Sequence, residues 1–183
     1  MALMPCTIQA QSLKDLFLQM PTEVCPVLTE YNRLELVDNQ KNGKEMSTRN
    51  AFQTVSKMSA LTDDYAHLSV SDSSEKVMKL LTKNDGTKII MVISTVFCDS
   101  IPDSSVSFYS TEWKPLDATA YISNPTSDEF RHIVLDPKTN TLTITTSNPL
   151  ALQTNGSDTQ VEPTSESHTL QWDGASFLLC PKS

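Results

Sequence analysis

Basic clusters are missing from this chain. Its 14 Lys and Arg are scattered, as at Lys41, Lys44 and Arg49, against 22 Asp and Glu, for a net charge of -8. Nucleic-acid binding draws affinity from a concentrated basic face that releases counterions, so that class is disfavoured; the same acidity argues against adsorption to anionic membrane surfaces. Long apolar runs are missing too. The longest, Ile89 to Phe97, is strand-length and falls short of the ~18 residues of a membrane-spanning helix. Only four glycines occur, at 43, 86, 156 and 174, all in turn contexts, which leaves no phosphate-cradling loop and no G-x-S-x-G nucleophile elbow. The four cysteines match neither a zinc site nor a CxxC redox pair, so no metal and no cofactor is expected.

What is abundant is hydroxyl. There are 22 Ser and 21 Thr, which suit exposed strands and turns, and ten Pro that stiffen connections. The length suits one domain with a core that needs no disulfide staples. Two signals meet at the N-terminus. An apolar stretch followed by Ala10, Gln11 and Ser12 reads like the end of an export signal, though without a basic leading region. Cleavage near Ala10 or Gln11 would make residues 1–11 a residual signal segment and 12–183 a single domain. Lipidation at Cys6 is the alternative, and Pro5 is a poor residue to precede it. With Cys6 removed, Cys25, Cys98 and Cys180 remain. Cys98 and Cys180 are the candidate disulfide, against the alternative that all three are small buried hydrophobes.

The rest reads as α+β: two N-terminal helices packed on a mostly antiparallel meander sheet of six to eight strands. Leu13, Leu16, Phe17 and Met20 mark the first helix, capped by Ser12 with Asp15 three residues on and stopped by Pro21. Val27, Leu28, Tyr31, Leu34 and Val37 give the second a loose helical period from about Pro26 to Gln40. From Lys57 the period becomes two. Strands follow over 58–70, 76–82, 88–97 and around Val106 and Phe108, with Asn84-Asp85-Gly86 as a tight hairpin turn. Two further hairpins are expected: 133–135 with 141–146, and 168–172 with 175–179 turned by Asp173-Gly174. The polar segment 148–167 reads as a loop and contains a sequon at Asn155.

Two constellations carry chemistry. Asp63, Tyr65 and His67 fall on one face of an extended strand and could move protons in a hydrolase, or could be a polar strand edge that discourages pairing. Asp103, Tyr109 and Trp113 place two aromatics on an acidic, hydroxyl-rich segment. They could stack on a sugar or clamp a peptide, or close one edge of the core.

Several segments together resemble an exported family of unknown function found in Bacteroidales: Asp15 to Pro21, Asn32-Arg33-Leu34 with Asp38, Ala60 to Tyr65, Met78 to Leu81, and Asp103 through Tyr109 to Trp113 and Leu116. The resemblance spans residues 12–118. It implies a signal peptide and a periplasmic or cell-envelope location, and it supplies no catalytic residues. The expectation is therefore an exported envelope protein, a non-enzymatic binding domain that contacts a protein or glycan through Asp103, Tyr109 and Trp113. The alternatives are a carrier of a small apolar ligand held between helices and sheet, and a hydrolase using Asp63, Tyr65 and His67.

Overall fold

The computed structural model of the protein describes residues 11–99, 101–123, 130–147 and 165–181. The expected signal segment with Cys6 and Ala10, the Asn155 sequon and most of the polar segment 148–167 lie outside the described residues.

Helix α1 (Leu13–Leu18) begins where the sequence says it should. Ser12 and Asp15 close a capping box, each side chain accepting from the other's backbone N–H. Leu13, Leu16, Phe17 and Met20 are all fully buried. Helix α2 (Glu30–Lys41) starts later than the apolar pattern suggests, because Thr29 and Asn32 form its capping box. It also turns a different face inward. Tyr31 and Leu34 are 72% and 44% exposed, while Asn32, Arg33, Leu36 and Val37 are buried. The cause is backbone hydrogen bonding: Asn32 Nδ2 donates to Thr48 Oγ1 and to the Arg49 carbonyl, and Arg33 Nη1 donates to the Leu28 carbonyl. The first two bonds hold Asn32 against residues 48 and 49 at the sheet edge, the third holds Arg33 against the segment before the helix, and Tyr31 and Leu34 are left facing outward.

The meander has seven strands in sequential order: β1 (Ser47–Arg49), β2 (Val55–Leu61), β3 (Tyr65–Ser71), β4 (Ser74–Thr82), β5 (Lys88–Cys98), β6 (Ile101–Ser110) and β7 (Pro115–Leu116). The β4–β5 hairpin turns at Asn84-Asp85-Gly86, where Gly86 adopts φ +81° and Asp85 Oδ1 accepts from the Thr87 N–H at 2.9 Å. The other expected hairpins do not extend this sheet. They form a second antiparallel one, ordered β11-β10-β9-β8, from β8 (Phe130–Asp136), β9 (Thr141–Ser147), β10 (Ser165–Trp172) and β11 (Phe177–Leu179).

The expectation of a single sheet with helices on one face is thus corrected. The described residues form a sheet-rich domain, with N-terminal helices on one face of the large sheet and the small sheet on the other. The run Ile89–Ile93 shows why. Ile90 and Val92 pack under the helices with Met78 and Leu80, while Ile89, Met91 and Ile93 pack under the small sheet with Leu135, Leu142 and Phe177. A strand covered on both faces loses the polar half of its alternation.

Each cover is fastened by one indole. Trp113 Nε1 donates to the Leu16 carbonyl at 3.0 Å, at the C-terminal end of α1 where helix carbonyls lack internal partners. Trp172 Nε1 donates to the Thr82 carbonyl at 3.0 Å, at the end of β4. Beside it the β10–β11 turn sits tightly on the β4–β5 turn: the Asn84 N–H donates to the Gly174 carbonyl at 2.9 Å. Gly174 has φ +93°, and a Cβ there would lie 2.1 Å from Asn84 Oδ1. A third tie is ionic. Lys79, 3% exposed, donates from Nζ to Asp64 Oδ2 at 2.6 Å and to the Pro137 carbonyl at 2.7 Å, linking the β2–β3 turn, β4 and the β8–β9 turn. Burial works to raise the Asp64 carboxyl, but the hydrogen bond and charge of Lys79 outweigh it and hold the group below its ordinary range.

The expected Cys98–Cys180 disulfide is not formed. Cys98 ends β5, Cys180 follows β11 in the other sheet, and Cys25, Cys98 and Cys180 are all free thiols. The Cys180 N–H donates to the Thr169 carbonyl at 2.8 Å, which holds this residue in the small sheet beside β10.

Candidate functional site

The two covers are offset, and each leaves part of its face of the large sheet open. On the helix side, α1 and α2 are too short to reach the far ends of β5 and β6. There the alternate residues of β6 form a row, Asp103, Ser105, Ser107 and Tyr109, paired across to Val96, Ser94, Val92 and Ile90 of β5. Asp103 and Ser105 are exposed, Ser107 and Tyr109 half-buried. Lys76, the next neighbour on β4, donates from Nζ to Ser94 Oγ at 2.6 Å. Burial lowers the pKa of its ammonium. The result is a strip of hydroxyls with a carboxylate at one end, a tyrosine at the other and an ammonium on its flank.

The strip is offered as a face and not as a strand edge. β7 pairs with Phe108 and Tyr109 of β6, and among the described residues no strand pairs with the rest of that edge. Pro102 has no N–H to give an incoming strand, and the Ser104 carbonyl is taken by Arg131 Nε at 3.2 Å. Ser104 Oγ meanwhile accepts from the Ile133 N–H at 3.1 Å, which seats β8 on the opposite face.

Of the three residues expected to contact a partner, the structure brings Asp103 and Tyr109 onto one face. Trp113 it places elsewhere, 7% exposed in the helix-side core with its ring 5.5 Å from that of Tyr109. It supports Tyr109 from beneath and is closed to a partner. Ser94, Ser105, Ser107 and Lys76 complete the strip. Their sequence signal is the polar alternation of β6 and the Lys76–Ser94 register of the hairpins, which becomes readable once the strands are aligned.

On the other side, the small sheet covers β5, β6 and the Lys79–Leu81 half of β4, and leaves β2, β3 and the start of β4 open. Tyr65 and His67 share this face as their spacing predicts. Asp63 does not join them: it sits exposed in the β2–β3 turn, its carbonyl accepting the Leu13 N–H at 2.6 Å. The partners of His67 are instead cross-strand neighbours. Its Nδ1 lies 3.0 Å from Ser59 Oγ, and its Nε2 lies 3.1 Å from Glu75 Oε2. The Tyr65 phenol is half-buried and raised by that burial and by the Glu75 charge. Among the described residues no group of three or more His, Cys, Asp and Glu could hold a metal ion.

The space between helices and sheet is filled by the residues that would have had to line a ligand cavity. Leu13, Phe17 and Ile90 are wholly buried and Val92 is 2% exposed; Phe108, 1% exposed, fills the opposite layer. This packing argues against the apolar-carrier reading. Cys25 is packed in the same layer, and burial pushes its thiol pKa up. No described helix is long and apolar enough to cross a membrane.

Fold and surface together define a helix–sheet–sheet domain with two open polar half-faces. Residues 6–134 match the family described as "Protein of unknown function (DUF3256)", and the chain belongs to that family. A comparison with curated proteins finds no match. Among solved structures, the chain is similar to one described as a domain of an uncharacterized protein from Porphyromonas gingivalis W83, a member of the Bacteroidales. Identity is 21%, TM-score 0.73, and the alignment covers 95% of this chain and all of that one. At that identity the likeness is one of fold.

Proposed function

We propose that this protein is an exported domain of the cell envelope that binds a glycan through the helix-side strip. The observation that carries the reading is the unbroken row Asp103, Ser105, Ser107 and Tyr109 on a face that elsewhere is sealed by packing. Sugar hydroxyls need short, directional donors and acceptors beside an aromatic edge, and serine oxygens with one carboxylate and Tyr109 supply them. A protein partner would call for large aromatic or arginine anchors at its centre, and the strip has only the half-buried Tyr109. Export is supported by the apolar N-terminal stretch that ends at Ala10.

Ser105→Arg should block the middle of the strip without touching the core, since Ser105 is exposed. Retention on immobilised envelope polysaccharide from the source organism is expected to weaken about tenfold or more, roughly 1.4 kcal/mol. Ser69→Arg, on the opposite open half-face, should bind as the unmodified protein does. Equal retention of Ser105→Arg would defeat the glycan reading. Loss of capture of one envelope protein instead would keep the strip but replace the partner.

A further inference from the structure

The second open half-face carries a different arrangement. Ser59 is the extra residue of a β-bulge in β2, where the pairing with β3 shifts between Met58 and Ala60. Bulges re-aim side chains, and this one turns Ser59 Oγ to His67 Nδ1 at 3.0 Å, with Glu75 Oε2 on the other ring nitrogen at 3.1 Å. The Ser59 hydroxyl also lies 3.5 Å from the His67 carbonyl, the longer of its two contacts. An ionised Glu75 only accepts, so the proton of a neutral His67 resides on Nε2. Nδ1 is then left as an acceptor for the Ser59 O–H. The serine is exposed, and the His67 and Glu75 side chains are 32% and 27% exposed, so the row is reachable from solvent.

We propose that Ser59, His67 and Glu75 form an acyl-transfer site that hydrolyses O-acyl esters carried on a larger molecule. Ser59 Oγ attacks the ester carbonyl carbon while its proton passes to His67 Nδ1. The C–O bond to the alcohol breaks, and the alcohol leaves with that proton. Water then attacks the acyl-serine carbonyl, gives its proton to His67, and releases the carboxylic acid as the serine takes the proton back. Ser59 and His67 are the catalytic residues in this scheme. Glu75 is a positioning residue that holds the tautomer and offsets the imidazolium charge. The ester class follows from shape: residues on the flat face of three neighbouring strands suit an acyl group that projects from a polymer. The site lies on the face opposite the glycan strip, and its test is independent of that reading.

The probe is a fluorophosphonate, read by intact mass and peptide mapping, alongside hydrolysis of p-nitrophenyl acetate. The expected result is one adduct, on Ser59, absent from Ser59→Ala. Labelling should slow about 10²- to 10⁴-fold in His67→Gln, the usual contribution of a positioned base. Glu75→Gln should lower both rates while leaving the unfolding midpoint unchanged, and Ser69→Ala on the same face should change neither. An unlabelled folded protein, an adduct on another serine, or labelling of Ser59 at the same rate in His67→Gln would each overturn the proposal.

Discussion

Trp113→Ala is expected to lower the unfolding free energy by about 3–5 kcal/mol, the range for removing a large buried aromatic. Three features put it there. The side chain is 7% exposed within the helix-side core, its indole N–H satisfies the Leu16 carbonyl, and its ring supports Tyr109. Its backbone holds φ +60°, a region that a bulky residue occupies only when its surroundings insist. Alanine would keep that backbone cost and lose the packing that offsets it. Helix α1 is six residues long and cannot persist without tertiary contacts. Amide exchange in residues 13–18 should therefore accelerate by a larger factor than exchange in β9 and β10. Trp113→Phe separates the two contributions, keeping most of the ring and losing the hydrogen bond at about 1 kcal/mol. A loss below 1 kcal/mol for Trp113→Ala, with α1 still protected, would show that the indole is not the fastening.

Trp172→Ala should be comparably costly, about 3 kcal/mol or more, and should release the other layer. Trp172 is 9% exposed, packs 5.2 Å from Phe177 and 6.4 Å from Tyr121 between ring centroids, and holds the Thr82 carbonyl. Without it the small sheet rests on its remaining apolar contacts, the Lys79 tie, the bonds of Arg131 and Ile133 to Ser104, and the Asn84–Gly174 bond. Exchange should then rise in β8 to β11 and little in α1, the reverse of the Trp113 pattern. Gly174→Ala should act in the same direction by a separate route, because it combines a left-handed φ with a clash against Asn84. If Trp172→Ala instead loosens α1 as much as the small sheet, the two covers are one cooperative layer and not two separate attachments.

Much of the local structure was legible because it rests on short-range chemistry. The Ser12 cap, the Leu13–Phe17 stripe, the Asn84–Gly86 turn and the late hairpins are each specified within a few residues. The partition into two sheets was not, since a hairpin carries no local mark of which sheet it joins. The run Ile89–Ile93 held the clue, as continuous apolarity means two covers, but its strand length alone does not distinguish that from one deep core. The inward face of α2 was hidden for a related reason: Asn32 is buried by acceptors on Thr48 and Arg49, distant in sequence. Site residues divided the same way. Tyr65 with His67, and Asp103 with Tyr109, follow from alternation along one strand. Ser59 and Glu75 come from neighbouring strands, and only the register with its bulge brings them to His67. Of the two readings open for Trp113, partner contact and closing the core edge, the second holds, and the Leu16 carbonyl that takes its indole N–H lies 97 residues away and leaves no local mark.

The offset of the two covers, on which both proposed sites depend, can be tested by thiol labelling. In a chain with Cys6, Cys25, Cys98 and Cys180 replaced by serine or alanine, single cysteines would be placed at Ser105, Ser69 and Ser104. The first two are exposed on the helix-side and opposite half-faces, and Ser104, adjacent in sequence to Ser105, is 3% exposed beneath β8. Under native conditions the cysteines at 105 and 69 should react with maleimide at nearly the rate of the unfolded chain, and the one at 104 should be protected. Protection at 105 or at 69 would mean that a cover extends over that half-face, and the account of two open polar surfaces would be wrong.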